Sequence, residues 1–352
     1  MMFINNIDWS GADLPFGGSK DSGCGRELGN MGMQESVNNK RVRIASVTGI
    51  MAMFAVATET KTNMASQTLE SVTTEDPVWF ITGCSTGFGR ALAAHVLELG
   101  YRTVVTARNT DDIKDLASHA NALLLQLDVT DLAQIDAAVA AAEGKFGHID
   151  VLVNNAGIGY FAAVEESEEE QVRRMFEINV FGLSRMIHAV LPGMRKRSSG
   201  FIVNFSSIGG LCAFPALGYY NATKFAVEGL SEALWQEVEP LGIRVMVVEP
   251  SGFRTDWAGR SADDSVREIG DYAATAGKSR QQVRAISGKQ RGDPIRAAHA
   301  IVAAVASMHP PHHLLLGNDA FDAAIAKLDR LRKEFLAGES VSRSADFPHE
   351  SH

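Results

Sequence analysis

The chain has 352 residues, 45% hydrophobic and 21% charged, which fits a folded globular protein of one large domain or two modest ones. Its net charge of -9 excludes a binder of nucleic acid, because no basic excess exists to neutralise phosphates. The 3 cysteines, Cys24, Cys84 and Cys212, form no paired framework and no CxxC pattern, so reduced thiols in a cytoplasmic protein are expected.

Residues 1–75 are rich in Gly, Asn, Ser, Thr and Met and show no sustained period. The apolar run 50–57 is too short to span a bilayer. Lys40, Arg41 and Arg43 precede it but lie too far inside the chain for a signal peptide, so neither membrane nor targeting is expected. From Asp76 the pattern becomes alternating apolar runs and amphipathic stretches, as in a parallel sheet with crossover helices. Strands are expected at 78–81, 103–106, 122–127, 151–153, 201–205, 244–248 and 314–316. Helices are expected at 90–99, 131–146, 167–194, 220–239, 294–307 and 321–336, the third opened by a Ser167/Glu170 capping box. Residues 252–292 lack a strong period and read as a lobe over the site, and 341–352 as a polar tail that frays.

The chemistry clusters at strand ends. Thr82-Gly83-Cys84-Ser85-Thr86-Gly87-Phe88-Gly89 lies between the first strand and its helix, where glycines let a backbone approach a pyrophosphate at a helix N-terminus. Arg108 ends the second strand where an acid would grip a ribose 2'-hydroxyl. An arginine there suits a 2'-phosphate, with Ser85 as a second donor, so NADP(H) is expected and NAD(H) remains open. Asp128, followed by Val129, ends the third strand, where a carboxylate reaches an adenine amino group. Asn154-Asn155-Ala156-Gly157 ends the fourth, with small residues leaving room and amides free to tie strands together.

Ser207 follows the fifth strand, and Tyr220 and Lys224 lie four apart on one helix face. An ammonium beside a phenol favours phenolate and would let Tyr220 move a proton at neutral pH, while Ser207 can bond the same substrate oxygen. Asn179 sits inside a helix where asparagine is poor, which points to a kink or a held water.

TGxxxGxG, NNAG, the helical asparagine, the serine and YxxxK stand here in the order of the short-chain dehydrogenase/reductase family, which residues 76–336 resemble. That resemblance implies a doubly wound Rossmann-type α/β sheet of about seven strands. It also implies a tetrad of Asn179, Ser207, Tyr220 and Lys224, with Gly83, Gly87 and Gly89 shaping the phosphate turn. Tyr220 and Lys224 would also touch the cofactor, as would Thr86 and Phe88. Pro250, Gly252, Phe253 and Thr255 would border the nicotinamide, Thr255 bonding its carboxamide. Ser251 stands where the family usually has glycine. The implied reaction interconverts a carbonyl and a secondary alcohol on a small molecule, without metal, in a homodimer or homotetramer packed through the two long helices. A nucleotide-sensing or scaffolding protein on the same fold is the second reading; it has no need of a full tetrad. Gly317-Asn318-Asp319-Ala320 and the closing helix resemble the branch of 17β-hydroxysteroid dehydrogenases. Residues 3–6 and 14–29, through Val42-Arg43-Ile44, resemble the C-terminal end of an aldehyde dehydrogenase. They carry neither that family's nucleophilic cysteine nor its cofactor domain, so no aldehyde-oxidising module is implied, and the working protein is expected to start near Met64.

Overall fold

A computed structural model describes residues 76–347. The 1–75 extension, with its aldehyde-dehydrogenase-like stretch, and the last five residues lie outside the described part. Seven parallel strands pair in the order β3-β2-β1-β4-β6-β7-β9. They are β1 (Trp79–Ile81), β2 (Thr103–Ala107), β3 (Ala122–Gln126), β4 (Val151–Asn154), β6 (Gly200–Phe205), β7 (Ile243–Pro250) and β9 (His313–Leu316). The central strands are Val- and Ile-rich and buried on both faces, as a covered parallel sheet demands. Successive side chains leave on opposite faces. Trp79 and Ile81 pack with Leu92, Val96 and Ile301 below α1 (Gly87–Glu98) and α7 (Pro294–Val305). Phe80 packs with Ile135, Met186, Val190 and Leu234 below α2 (Leu132–Phe146), α4 (Leu183–Arg197) and α5 (Gly218–Val238). Strand order reverses between β1 and β4, so a crevice opens at their C-terminal ends.

The helix starts follow side-chain chemistry. Asp131 accepts from the amides of Ala133 and Gln134 at 2.9 and 3.2 Å and opens α2. Asp293 does the same for Ile295 at 2.8 Å, with Pro294 in the first turn of α7.

The expected helix 167–194 is divided. Ser167 forms no capping box: its hydroxyl donates back to the Ala163 carbonyl at 2.9 Å. A first segment, α3 (Glu169–Phe176), passes through a π turn at Glu177–Gly182 into α4. The lobe is more regular than its sequence suggests. Within it β8 (Ala262–Asp264) pairs in parallel with β5 (Gly159–Phe161), and α6 (Lys278–Ala285) follows. Two aspartates in a three-residue strand give no strand signal. The last long helix, α8 (Asn318–Ala337), continues into a short α9 (Glu339–Arg343) where fraying was expected. Among the described residues no helix is long and apolar enough to cross a membrane.

Candidate active site

A cleft of about 560 Å³ runs along the C-terminal ends of the strands, and the turns after β1, β2, β3, β4, β6 and β7 all reach it. The glycine turn is held to the end of β4 by a dense set of bonds. Thr82 Oγ1 accepts from the amides of Asn155 and Ala156, both at 3.0 Å. Asn155 Nδ2 donates to the carbonyls of Thr82 and Gly83, both at 2.9 Å. Gly83 has φ +70°, and a Cβ there would lie 2.9 Å from Ala156 Cα; at Gly89 it would lie 2.3 Å from Asn155 Nδ2. The TGxxxGxG and NNAG motifs are therefore two halves of one joint. Gly87, at φ +60°, opens α1 into the cleft beside Thr255, where unpaired first-turn amides suit an anion. Phe88 lines the cleft and packs onto Phe205 and Phe253, with ring centroids 5.5 and 4.9 Å away. Cys84 is wholly buried under the turn, and burial pushes its thiol up to about 12.

Arg108 is exposed at the cleft rim, lines it with Ser85 and Thr86, and makes no ion pair among the described residues. Asp128 and Val129 line the same end, although one Asp128 oxygen is engaged by Thr130 N and Oγ1 at 2.9 and 2.7 Å. Pro250, Gly252, Phe253 and Thr255 line the other end with Gly157 between. The glycine replaced by Ser251 is accommodated: Gly317 gives the Ser251 hydroxyl its space, and the hydroxyl donates to Leu316 O at 3.3 Å. The residues present thus fit a dinucleotide, with an anion cradle at the glycine turn and an exposed guanidinium on the cleft rim.

Tyr220 and Lys224 are both buried on α5 and face the cleft, with Lys224 Nζ 5.8 Å from the Tyr220 ring centroid. Ser207 meets the Tyr220 hydroxyl while its own Oγ accepts from Gly209 N at 3.0 Å. Ser207 thereby also caps the short helical turn Ile208–Gly210 that follows the strand. The expected depression of the phenol is absent in the chain alone. Burial pushes Tyr220 up to about 12, opposed by the Ser207 hydrogen bond. Burial likewise brings Lys224 down to about 8, opposed by Glu228. For both groups desolvation is the larger effect, and the Lys224 ammonium donates to the Phe205 carbonyl at 2.8 Å.

Asn179 is buried in the π turn and is not a free amide. Its Oδ1 accepts from Ile158 N at 2.9 Å, and Nδ2 donates to Ile158 O at 2.9 Å and Thr223 Oγ1 at 3.2 Å. The irregularity at this position is the π turn itself. Both its hydrogens are taken within the protein, so a water near it would meet the second acceptor position of Oδ1 or the main chain.

Trp257 was not legible as part of the site. Its ring lies over Tyr220 at 4.8 Å and edge-on to Phe161 at 5.4 Å, and with Ile158, Phe214, Leu217 and Val283 it makes an apolar wall. The only sequence signal was a lone tryptophan in an aperiodic stretch.

Comparison with known proteins agrees with this geometry. The short chain dehydrogenase family model matches residues 77–265. Oxidoreductase BOA17 of Botryotinia fuckeliana (strain B05.10) is 39% identical over 251 residues, covering 70% of this chain and 91% of that protein. A short-chain dehydrogenase from Streptomyces avermitilis superposes with a TM-score of 0.73 at 44% identity, over 78% of this chain and all of that one. ElxO with NADP bound gives 0.59 at 28% identity, over 70% of this chain and 100% of its own. A Burkholderia phymatum enzyme of the family in complex with NAD gives 0.64 at 26%, over 78% and 98%. A seven-stranded doubly wound sheet, a glycine joint at its switch point and this set of relatives lead to one assignment: the chain belongs to the short-chain dehydrogenase family and is an oxidoreductase.

Proposed function

We propose that this protein interconverts a carbonyl and a secondary alcohol on a small molecule with NADP(H), and that Tyr220 carries the proton. The single observation behind the reading is Ser207 beside the buried Tyr220 and Lys224, all three opening on the same cleft as the glycine joint. When bound, the dinucleotide supplies or accepts the hydride. Ser207 polarises the substrate oxygen, and Tyr220 donates to it or accepts from it. Lys224 holds the cofactor ribose and lowers the barrier to charge on the phenol. Asn179 fixes the backbone between β4 and α5, and any water in the relay is held by its Oδ1 or its main chain. Gly83, Ser85, Thr86, Gly87, Phe88 and Gly89 seat the pyrophosphate; Asp128, Val129, Asn155, Ala156 and Gly157 line the adenosine and ribose path. Pro250, Gly252, Phe253 and Thr255 close over the nicotinamide.

Arg108 makes NADP(H) the preferred cofactor, with NAD(H) used more weakly; the NADP-bound ElxO and the NAD-bound Burkholderia enzyme illustrate both choices in the family. The apolar wall around Trp257 favours an apolar substrate, in keeping with the resemblance of 317–336 to the 17β-hydroxysteroid branch. A cytoplasmic homodimer or homotetramer built through the two long helices completes the proposal.

A panel of ketones and aldehydes, followed by NADPH absorbance, tests the activity. In the same assay the wild type is expected to prefer NADPH over NADH by at least about tenfold, since a charge-assisted bond contributes roughly 1.5 to 3 kcal/mol. Arg108→Asp should reverse that order. Equal use of both cofactors by the wild type would place Arg108 in solvent and remove the cofactor assignment.

A further inference from the structure

Behind Lys224, away from the cleft, Glu228 on α5, Glu249 on β7 and His313 on β9 bring their side chains together, with ligating atoms within 4.8 Å of one another. Glu249 is wholly buried and the Glu228 side chain is 11% exposed, while the His313 side chain is half in solvent. His313 Nδ1 bonds Glu249 Oε1 at 2.6 Å and stands 3.9 Å from Glu228 Oε2. Both Glu228 oxygens and Glu249 Oε2 lack a hydrogen-bond partner of good geometry, and the buried Ser206 hydroxyl lies against them from the end of β6. Two buried carboxylates face to face need compensating positive charge. His313 is matched to Glu249. Glu228 is left, one helical turn from the Lys224 ammonium.

We infer that Glu228 is a positioning residue that keeps the Lys224 ammonium charged in its apolar seat, and that Glu249 and His313 set how much negative charge Glu228 presents to it. The inference rests on the reading of Lys224 as the partner of the proton-carrying tyrosine. Every group facing the cluster fits. Burial and then Glu249 push the Glu228 carboxyl up, whereas His313 and Ser206 hold it down. His313 is raised chiefly by its bond to Glu249, with Glu232 adding from the next turn of α5. Of the groups acting on Lys224, Glu228 is the one that opposes the burial penalty. Trp235 covers His313 edge-on at 5.4 Å and limits water on that side.

The signs follow from this arrangement. Glu228→Gln removes the charge that supports the ammonium, so Lys224 should titrate lower. Glu249→Gln removes the group that discourages Glu228 from ionising, so Lys224 should titrate at or above its wild-type position. A general loosening of the packing would move both variants in the same direction.

Trace acetylation of the full chain with acetic anhydride, from neutral to strongly alkaline pH, reads this for each lysine by mass spectrometry. It needs neither substrate nor cofactor. In Glu228→Gln the Lys224 midpoint should fall by about one pH unit, the size of shift one nearby charge produces, while the exposed lysines stay put. An unmoved midpoint in that variant, or a fall in Glu249→Gln, overturns the inference. Should Glu228→Gln fail to fold, the Glu249→Gln profile decides alone. Stoichiometric Zn²⁺ on the dialysed wild type, lost in Glu249→Gln, would also overturn it, because a metal would then balance the carboxylates. Absence of turnover on every carbonyl would sink the proposed activity and leave this measurement intact.

Discussion

On one side of the cleft, the glycine turn and the end of β4 are joined by neutral hydrogen bonds between strands whose register already aligns them. On the other side, the lobe over Tyr220 hangs on charged side chains reaching distant backbone. Glu166 accepts from Ala163 N and Ile269 N, Glu168 accepts from Ser265 Oγ and Val266 N, and Arg284 donates to the carbonyls of Ala258, Gly259 and Ala262. Arg284 also pairs with Asp264 and lies over the Phe161 ring at 4.7 Å. The first side is part of the sheet. The second is held largely by side chains, so it is expected to loosen before the sheet opens.

The largest effect should come from breaking the joint itself. Gly83→Val places a branched side chain at φ +70°, against the Ala156 backbone. It should abolish NADPH binding, read by fluorescence or calorimetry, or prevent folding; a variant that binds NADPH with wild-type affinity would show that the joint is not needed. A smaller, one-sided effect is expected for Arg284→Ala. Charged hydrogen bonds contribute about 1.5 to 3 kcal/mol each, so losing this partly exposed fork should raise KM by roughly tenfold or more. NADPH affinity should hold, and amide exchange should quicken at 256–286 but not at 79–107. Equal acceleration in both regions would erase the distinction between them.

This difference also explains what was legible. Gly83, Asn155, Ser207, Tyr220 and Lys224 could be read because each is fixed within a few residues of a strand end or along one helix turn. The pairing of β5 with β8, the bond from Glu166 to a residue 103 positions away, and Trp257 over Tyr220 leave no local period. Asn179 was recognisable as a misfit in a helix. Its spent amide was not, because the partners Ile158 and Thr223 come from other elements. The pull of burial on Tyr220, opposed by its bond to Ser207, likewise depends on packing, which one helix face does not reveal.

Acid should separate the two sides more gently. Glu168 is held below the usual carboxylate range chiefly by the Tyr160 hydroxyl, and Glu166 by the Ile269 amide. Groups with lowered folded values stabilise above their unfolded pKa and lose that contribution as pH falls through the folded one. Below the ordinary carboxylate range, limited proteolysis should therefore cut the 262–284 stretch before the sheet opens; simultaneous cutting of both would contradict it. The smallest effect is expected from removing the chain before Met64. The family match begins at 77, so solubility, NADPH affinity and turnover should all be retained, and loss of any would give that segment a role in the domain.

The central claim is that Tyr220 moves the proton and that its hydroxyl is not needed to hold the cofactor. Tyr220→Phe keeps the ring against Trp257 and removes only the hydroxyl. Side by side, single-turnover kinetics and NADPH titration should show turnover reduced by about 10² to 10⁴ with cofactor affinity unchanged. Near wild-type turnover in the Phe variant would contradict the account.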